Sequence, residues 1–186
     1  MSVATLAEDA VGRHGANQDD WELGRLVDVI GQELGGALVV EIGCDRGGTL
    51  WLWSELGADV VAITLHTRQD GVFTAHGAAV LTGDSTDLEA RAQIERFIDG
   101  RHVAMVFVDG GHDYATAAAD IAWALHLAPK GYVVVHDVNR RMNHPETETY
   151  MAWLEFAESR PHMTIARRGD GSPGTGILFP PVINGG

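Results

Sequence analysis

The chain has 186 residues, 45% of them hydrophobic, a single cysteine and a formal net charge of −13. That is enough chain for one globular domain with a sizeable core, and a surface with 26 acidic against 13 basic residues repels phosphate backbones and anionic membrane surfaces. Nucleic acid and membrane are therefore excluded as partners, Cys44 cannot form an intrachain disulfide, and the absence of a long apolar run or a basic-flanked apolar leader makes a cytoplasmic location the expectation.

Residues 2–34 read as a helical extension. Asp19-Asp20 caps a helix whose apolar face is Trp21, Leu23, Leu26, Val27 and Ile30, and Gly35-Gly36 ends it. From there short apolar runs alternate with helical patterns. The runs are 37–42, 59–65, 79–82, 102–108 and 131–136; the helices are expected over 48–56, 86–99, 113–128 and 147–159. Near-continuous runs such as Val103-Ala104-Met105-Val106-Phe107-Val108 are what parallel strands buried on both faces require. The alternation predicts an α/β fold with a Rossmann-like, doubly wound sheet. Two last runs, 163–166 and 176–179, flank Gly169-Asp170-Gly171-Ser172-Pro173-Gly174, so they are expected to pair as an antiparallel C-terminal hairpin. The chain is thus expected to be one domain over 1–186, with a core over 35–180 and a loose tail over 181–186.

The most specific stretch is Glu41-Ile42-Gly43-Cys44-Asp45-Arg46-Gly47-Gly48-Thr49. It reads as a strand end, a glycine turn and a helix start, which points backbone N–H groups at a ligand. A dinucleotide fingerprint needs a bare glycine where this chain has Asp45, and a phosphate loop needs a lysine before Thr49. Both the side chain and the charge of Asp45 oppose a pyrophosphate. The turn suits a cofactor with a cationic amino-acid tail and no phosphate, such as S-adenosylmethionine. An ordinary strand-to-helix turn is the alternative. Cys44 within it reads as a small buried thiol rather than a nucleophile.

Ligands of open α/β sheets bind beyond the carboxyl ends of the strands, so the residues just after each run are the informative ones. They are Glu41, Gly43 and Asp45; then Thr64, His66 and Thr67; then Gly83-Asp84-Ser85; then Asp109-Gly110-Gly111-His112-Asp113-Tyr114; then His136-Asp137-Val138-Asn139. Five polar strand ends facing one crevice are hard to explain by packing alone.

With Pro129-Lys130-Gly131-Tyr132 and Gly174-Thr175-Gly176-Ile177 added, these motifs resemble class I S-adenosylmethionine-dependent methyltransferases. Within them the chain is most similar to the small branch of macrocin-type sugar O-methyltransferases and cephalosporin hydroxylase-like proteins. The resemblance spans about residues 37–180. It implies a seven-stranded sheet with only its last strand antiparallel, and transfer of a methyl group to a small-molecule acceptor, expected at a hydroxyl oxygen. It places Glu41, Gly43, Asp45 and Gly47 around the amino-acid end of the cofactor, Asp84 and Ser85 near the adenine, and Asp109 beside the transferred methyl. It implies Asp109 and Asp137 as ligands of Mg²⁺ and His112 as the base, so that Asp109, His112 and Asp137 form the expected reaction centre.

Two positions depart from the family pattern. Thr64 stands where an acidic residue usually binds the ribose, and losing such a charge-assisted bond costs about 1.5–3 kcal/mol. His136 stands where a metal-dependent relative tends to have an acid, and Mg²⁺ prefers oxygen. These departures sustain a rival reading, a degenerate relative that binds without turnover. A nucleotide-cofactor oxidoreductase is the other rival, opposed by Asp45. Arg140-Arg141 and Arg167-Arg168 read as solvated pairs, with a rim for an anionic substrate as the alternative, and the histidines outside these motifs read as surface or packing residues. Only 1–34 and 138–150 are available to cover a substrate. The pocket is therefore expected to be shallow in a monomer or closed by a second subunit in a homo-oligomer.

Overall fold

A computed structural model describes residues 2–65, 72–139, 148–167 and 171–182. The chain runs α1 (Val3–Gly12), α2 (Asp20–Ile30), β1 (Leu38–Ile42), α3 (Gly48–Glu55), β2 (Asp59–Thr64), β3 (Val72–Ala75), β4 (Ala78–Thr82), α4 (Leu88–Ile98), β5 (Val103–Val108), α5 (Tyr114–Leu127), β6 (Tyr132–His136), α6 (Thr149–Ala157), β7 (His162–Ile165) and β8 (Thr175–Leu178). The strands form one sheet in the order β3-β4-β2-β1-β5-β6-β8-β7. The five central strands are parallel, and β8 runs antiparallel to both β6 and β7.

The doubly wound arrangement follows from alternation along each strand. On β1, Val39 joins a core with Leu6 and Ala10 of α1, Leu23 and Leu26 of α2, and Leu50 and Trp53 of α3. Its neighbours Val40 and Ile42 face the other way, into a core with Ile94 of α4, Ile121 of α5 and Trp153 of α6. All five β1 residues are buried. Each fully buried aliphatic side chain contributes about 1.5–3 kcal/mol, so the two layers clamp the sheet from both faces.

The sheet has eight strands where seven were expected, and β3 is a second antiparallel strand. It pairs with β4 through His76-Gly77, both at positive φ (50° and 83°), the backbone that a two-residue hairpin turn demands. The helical extension also divides. Asp19 accepts from the Glu22 amide and starts α2 afresh, leaving residues 13–19 as a connecting strap. Glu22, fully buried, accepts from the Gly174 amide at 3.2 Å and so ties α2 to the start of β8. Arg167 pairs with Asp19 and Asp20 rather than forming an open basic rim. His66, Thr67, Arg140-Arg141, His144, Arg168, Gly169-Asp170 and the last four residues of the 181–186 tail lie outside the described residues.

Candidate active site

Beyond the carboxyl ends of the five parallel strands lies a cavity of about 750 Å³, the size of a pocket that encloses a small molecule. Gly83, Asp84 and Ser85 line it after β4, and Thr64 and Leu65 after β2. Gly43, Cys44, Asp45 and Thr49 line it after β1, Asp109 to Asp113 after β5, and His136 and Asp137 after β6. Residues 15–18 of the strap close the side.

Gly43 is fixed by its surroundings. Its φ is 84°, and a Cβ there would stand 2.1 Å from the Asp109 carbonyl oxygen. Bare backbone at this point lets the turns after β1 and β5 touch. Gly47, also at positive φ (82°), donates its amide to the Cys44 carbonyl and caps α3 without facing the cavity. Asp84 accepts from the amide and hydroxyl of Thr86, which hold its carboxyl below the usual range. The Ser85 carbonyl accepts from Arg91, which also pairs with buried Asp120 at 3.6 Å. Thr64 is buried at the cavity wall.

Glu41 departs from its expected placement. It is fully buried and absent from the cavity wall; its two oxygens accept from the Thr49 hydroxyl and, at 2.7 Å, from Trp53 Nε1, both on α3. Burial pushes its carboxyl up to about 8, against the lowering effect of those two bonds. Glu41 thus fastens α3 to β1, with both carboxylate oxygens engaged by that helix.

Asp109, His112 and Asp137 do come together, with His136 between them. His136 is 5% exposed; its Nδ1 lies 3.0 Å from Asp109 Oδ1 and 3.5 Å from Asp137 Oδ2. Carboxylates only accept, so Nδ1 carries the proton. Burial opposes a charge on His136, but the Asp109 and Asp137 carboxylates outweigh it and push the imidazole up to about 10. Asp137 also accepts from His112 Nε2 at 3.1 Å. Burial works against its ionisation, yet the two histidines hold its carboxyl well below the usual range. The bond to Asp137 raises His112 in turn. Asp137 adopts a left-handed φ of 60°, a conformation an aspartate tolerates and one that its partners here over-determine.

One ligand atom from each of Asp109, His136 and Asp137 falls within 4.8 Å of the others, the spacing of a metal site. The donors do not suit Mg²⁺, which requires oxygen ligands at near-octahedral positions. His136 brings nitrogen, and its N–H already occupies the space between the carboxylates. The second Asp109 oxygen accepts from Gln18 Nε2 at 2.5 Å.

Gln18 carried no signal in the sequence. It precedes the Asp19 cap, far from any strand end, and meets Asp109 across 91 positions of chain. It is 8% exposed, and its Oε1 is buried at the cavity wall without a hydrogen-bond partner.

No curated protein sequence matches the chain. Solved structures do. A cofactor-bound structure of Rv0187 from MTB superposes with a TM-score of 0.64 at 16% identity, covering 95% of this chain and 87% of that one. An O-methyltransferase from Bacillus cereus in complex with SAH gives 0.62 at 17% identity, covering 96% and 90%. CalS11, a calicheamicin methyltransferase, gives 0.56 at 11% identity, covering 96% and 91%. At such identities these likenesses concern the fold. A family model described as a methyltransferase domain matches residues 40–138, over half of the chain and nearly the whole cavity wall from β1 to β6. The chain belongs to that methyltransferase-domain family.

Proposed function

We propose that the chain is an S-adenosylmethionine-dependent O-methyltransferase acting on a hydroxyl of a small molecule, with His112 as the general base. The observation that carries the reading is the 3.1 Å bond from His112 Nε2 to Asp137, at the wall of a cavity that ends in Asp109. An orienting carboxylate on one ring nitrogen leaves the other, Nδ1, as the atom that takes a proton. The family match and the SAH-bound and cofactor-bound relatives of like fold support the choice of cofactor.

When bound, S-adenosylmethionine supplies a methyl carbon on a sulfonium, open to in-line displacement by an oxygen. The residues of the chain do the rest. The turn of Gly43, Cys44 and Asp45 at the cavity wall would receive the cofactor's amino-acid end, and the Asp84-Ser85 end the nucleoside. Asp109, anchored by Gln18 and His136, fixes the floor between them. His112 accepts the acceptor's hydroxyl proton at Nδ1, and Asp137 stabilises the resulting imidazolium. The buried imidazole of His136 bridges the two carboxylates. Positioning of donor and acceptor accounts for much of the acceleration.

Calorimetry tests the cofactor, and turnover tests the base. The chain should bind S-adenosylhomocysteine and not NAD. On a panel of phenolic and sugar hydroxyls, His112→Ala should lose about two to four decades of turnover with S-adenosylhomocysteine affinity unchanged. Because the bond to Asp137 favours the protonated ring, the acid limb of the pH profile should lie above the ordinary histidine value of about 6.5. Turnover should survive chelation. Activity abolished by EDTA and restored by Mg²⁺ would overturn the metal-free assignment, and full activity in His112→Ala would remove the base.

A further inference from the structure

We infer that Gln18 is a cofactor-binding residue, whose side-chain oxygen receives the ammonium group of the cofactor's amino-acid tail. The inference rests on the cofactor reading above and adds a residue to it. The amide orientation is fixed by chemistry: Asp109 Oδ2 is an acceptor, so the group facing it at 2.5 Å is the NH₂, and the oxygen faces away. That oxygen is buried at the cavity wall with no donor opposite it. A buried carbonyl oxygen left unpaired is costly, and its position at a ligand cavity supplies the reason for tolerating it.

Three observations select an ammonium as the donor. First, Glu41, the acidic residue of the β1 turn, is fully buried and committed to Thr49 and Trp53, so it offers the tail no charge. Second, Asp109 lies against the Gly43 turn, its backbone touching that glycine's Cβ position and its side chain held by Gln18. An ammonium beside Asp109 gains its charge and needs a further acceptor, since it carries three donors. Third, the order of the strands separates the ends of the cavity. Thr64 and Asp84 lie towards β2 and β4, on the far side of β1 from Asp109, which leaves the nucleoside there and the tail beside Gln18.

The test compares two ligands that share the nucleoside and thioether. S-Adenosylhomocysteine carries the amino-acid tail; 5′-methylthioadenosine lacks it. In Gln18→Met, which keeps the volume and loses the polar atoms, S-adenosylhomocysteine should bind about 10-fold to 100-fold more weakly, the range for a hydrogen bond to a charged group. The affinity for 5′-methylthioadenosine should stay within about twofold, the spread expected where no contact changes. Gln18→Ala should give the same split, and methylthioadenosine binding reports that each variant is folded. Equal weakening of both ligands, or no weakening of either, overturns the inference. A wild-type chain that binds neither ligand overturns the cofactor reading itself, and the inference with it.

Discussion

Burial makes the Glu41 carboxyl hold its proton to higher pH than an exposed glutamate. Its folded value of about 8 lies above the value near 4.5 that it takes when exposed, so the folded state binds the proton more tightly. The sign follows: stability contributed by this group is complete below about pH 4.5 and declines as pH rises towards 8, with a slope of up to about 1.4 kcal/mol per pH unit. Glu41→Gln keeps the shape. Its amide oxygen can accept from Trp53 Nε1, and its NH₂ can donate to the Thr49 hydroxyl, which accepts as readily as it donates. The variant should fold and should lack that part of the pH dependence. Urea denaturation between pH 5 and 9 checks this; parallel curves for the two proteins would show that Glu41 stays ionised. His136 also stabilises below its folded value of about 10, so only the difference between wild type and variant isolates Glu41.

Two glycines in helices show how one element positions another. Gly48 opens α3, and a Cβ there would stand 2.1 Å from the Ala16 amide nitrogen in the strap. Gly24 lies inside α2, and a Cβ there would meet only the Ala7 methyl, at an ordinary 3.8 Å. The same substitution therefore has opposite outcomes. Gly24→Ala should stabilise by up to about 1 kcal/mol through helix propensity. Gly48→Ala should destabilise by about 1–3 kcal/mol, because backbone must move to admit the methyl. It should also weaken S-adenosylhomocysteine, since the displaced backbone belongs to the cavity wall. Chemical denaturation gives the first two values and calorimetry the third. A Gly48→Ala protein as stable as wild type would mean that the strap yields freely and does not seat the wall.

Across the whole molecule, what the sequence revealed and what it hid divide by the distance over which residues act. The parallel strands were legible because each is buried on both faces and reads as an apolar run, and the site residues directly after them came with them. Asp109, His112 and Asp137 meet because β5 and β6 are neighbours with their ends at matching heights. Strand β3 was hidden because it is four residues long and turns on His76-Gly77 rather than on a stronger hairpin pair. Glu41 was placed in the ligand turn because its position in the motif does not say that its carboxyl reaches back to Trp53. Gln18 left no trace, since nothing local distinguishes a glutamine in a connecting strap from a solvated one.

The cavity draws its wall from residue 15 to residue 137, through five strand ends and a strap that are far apart in the chain. No contiguous fragment contains it. A ligand there recognises only the assembled chain, and its binding energy is shared by every element that builds the wall. At a concentration one hundred times its dissociation constant, such a ligand raises the unfolding free energy by about 2.7 kcal/mol. The shift in melting temperature with ligand concentration then measures affinity without knowledge of the methyl acceptor. A library of candidate acceptors can be ranked in the same way, with the folded state of the protein itself as the indicator.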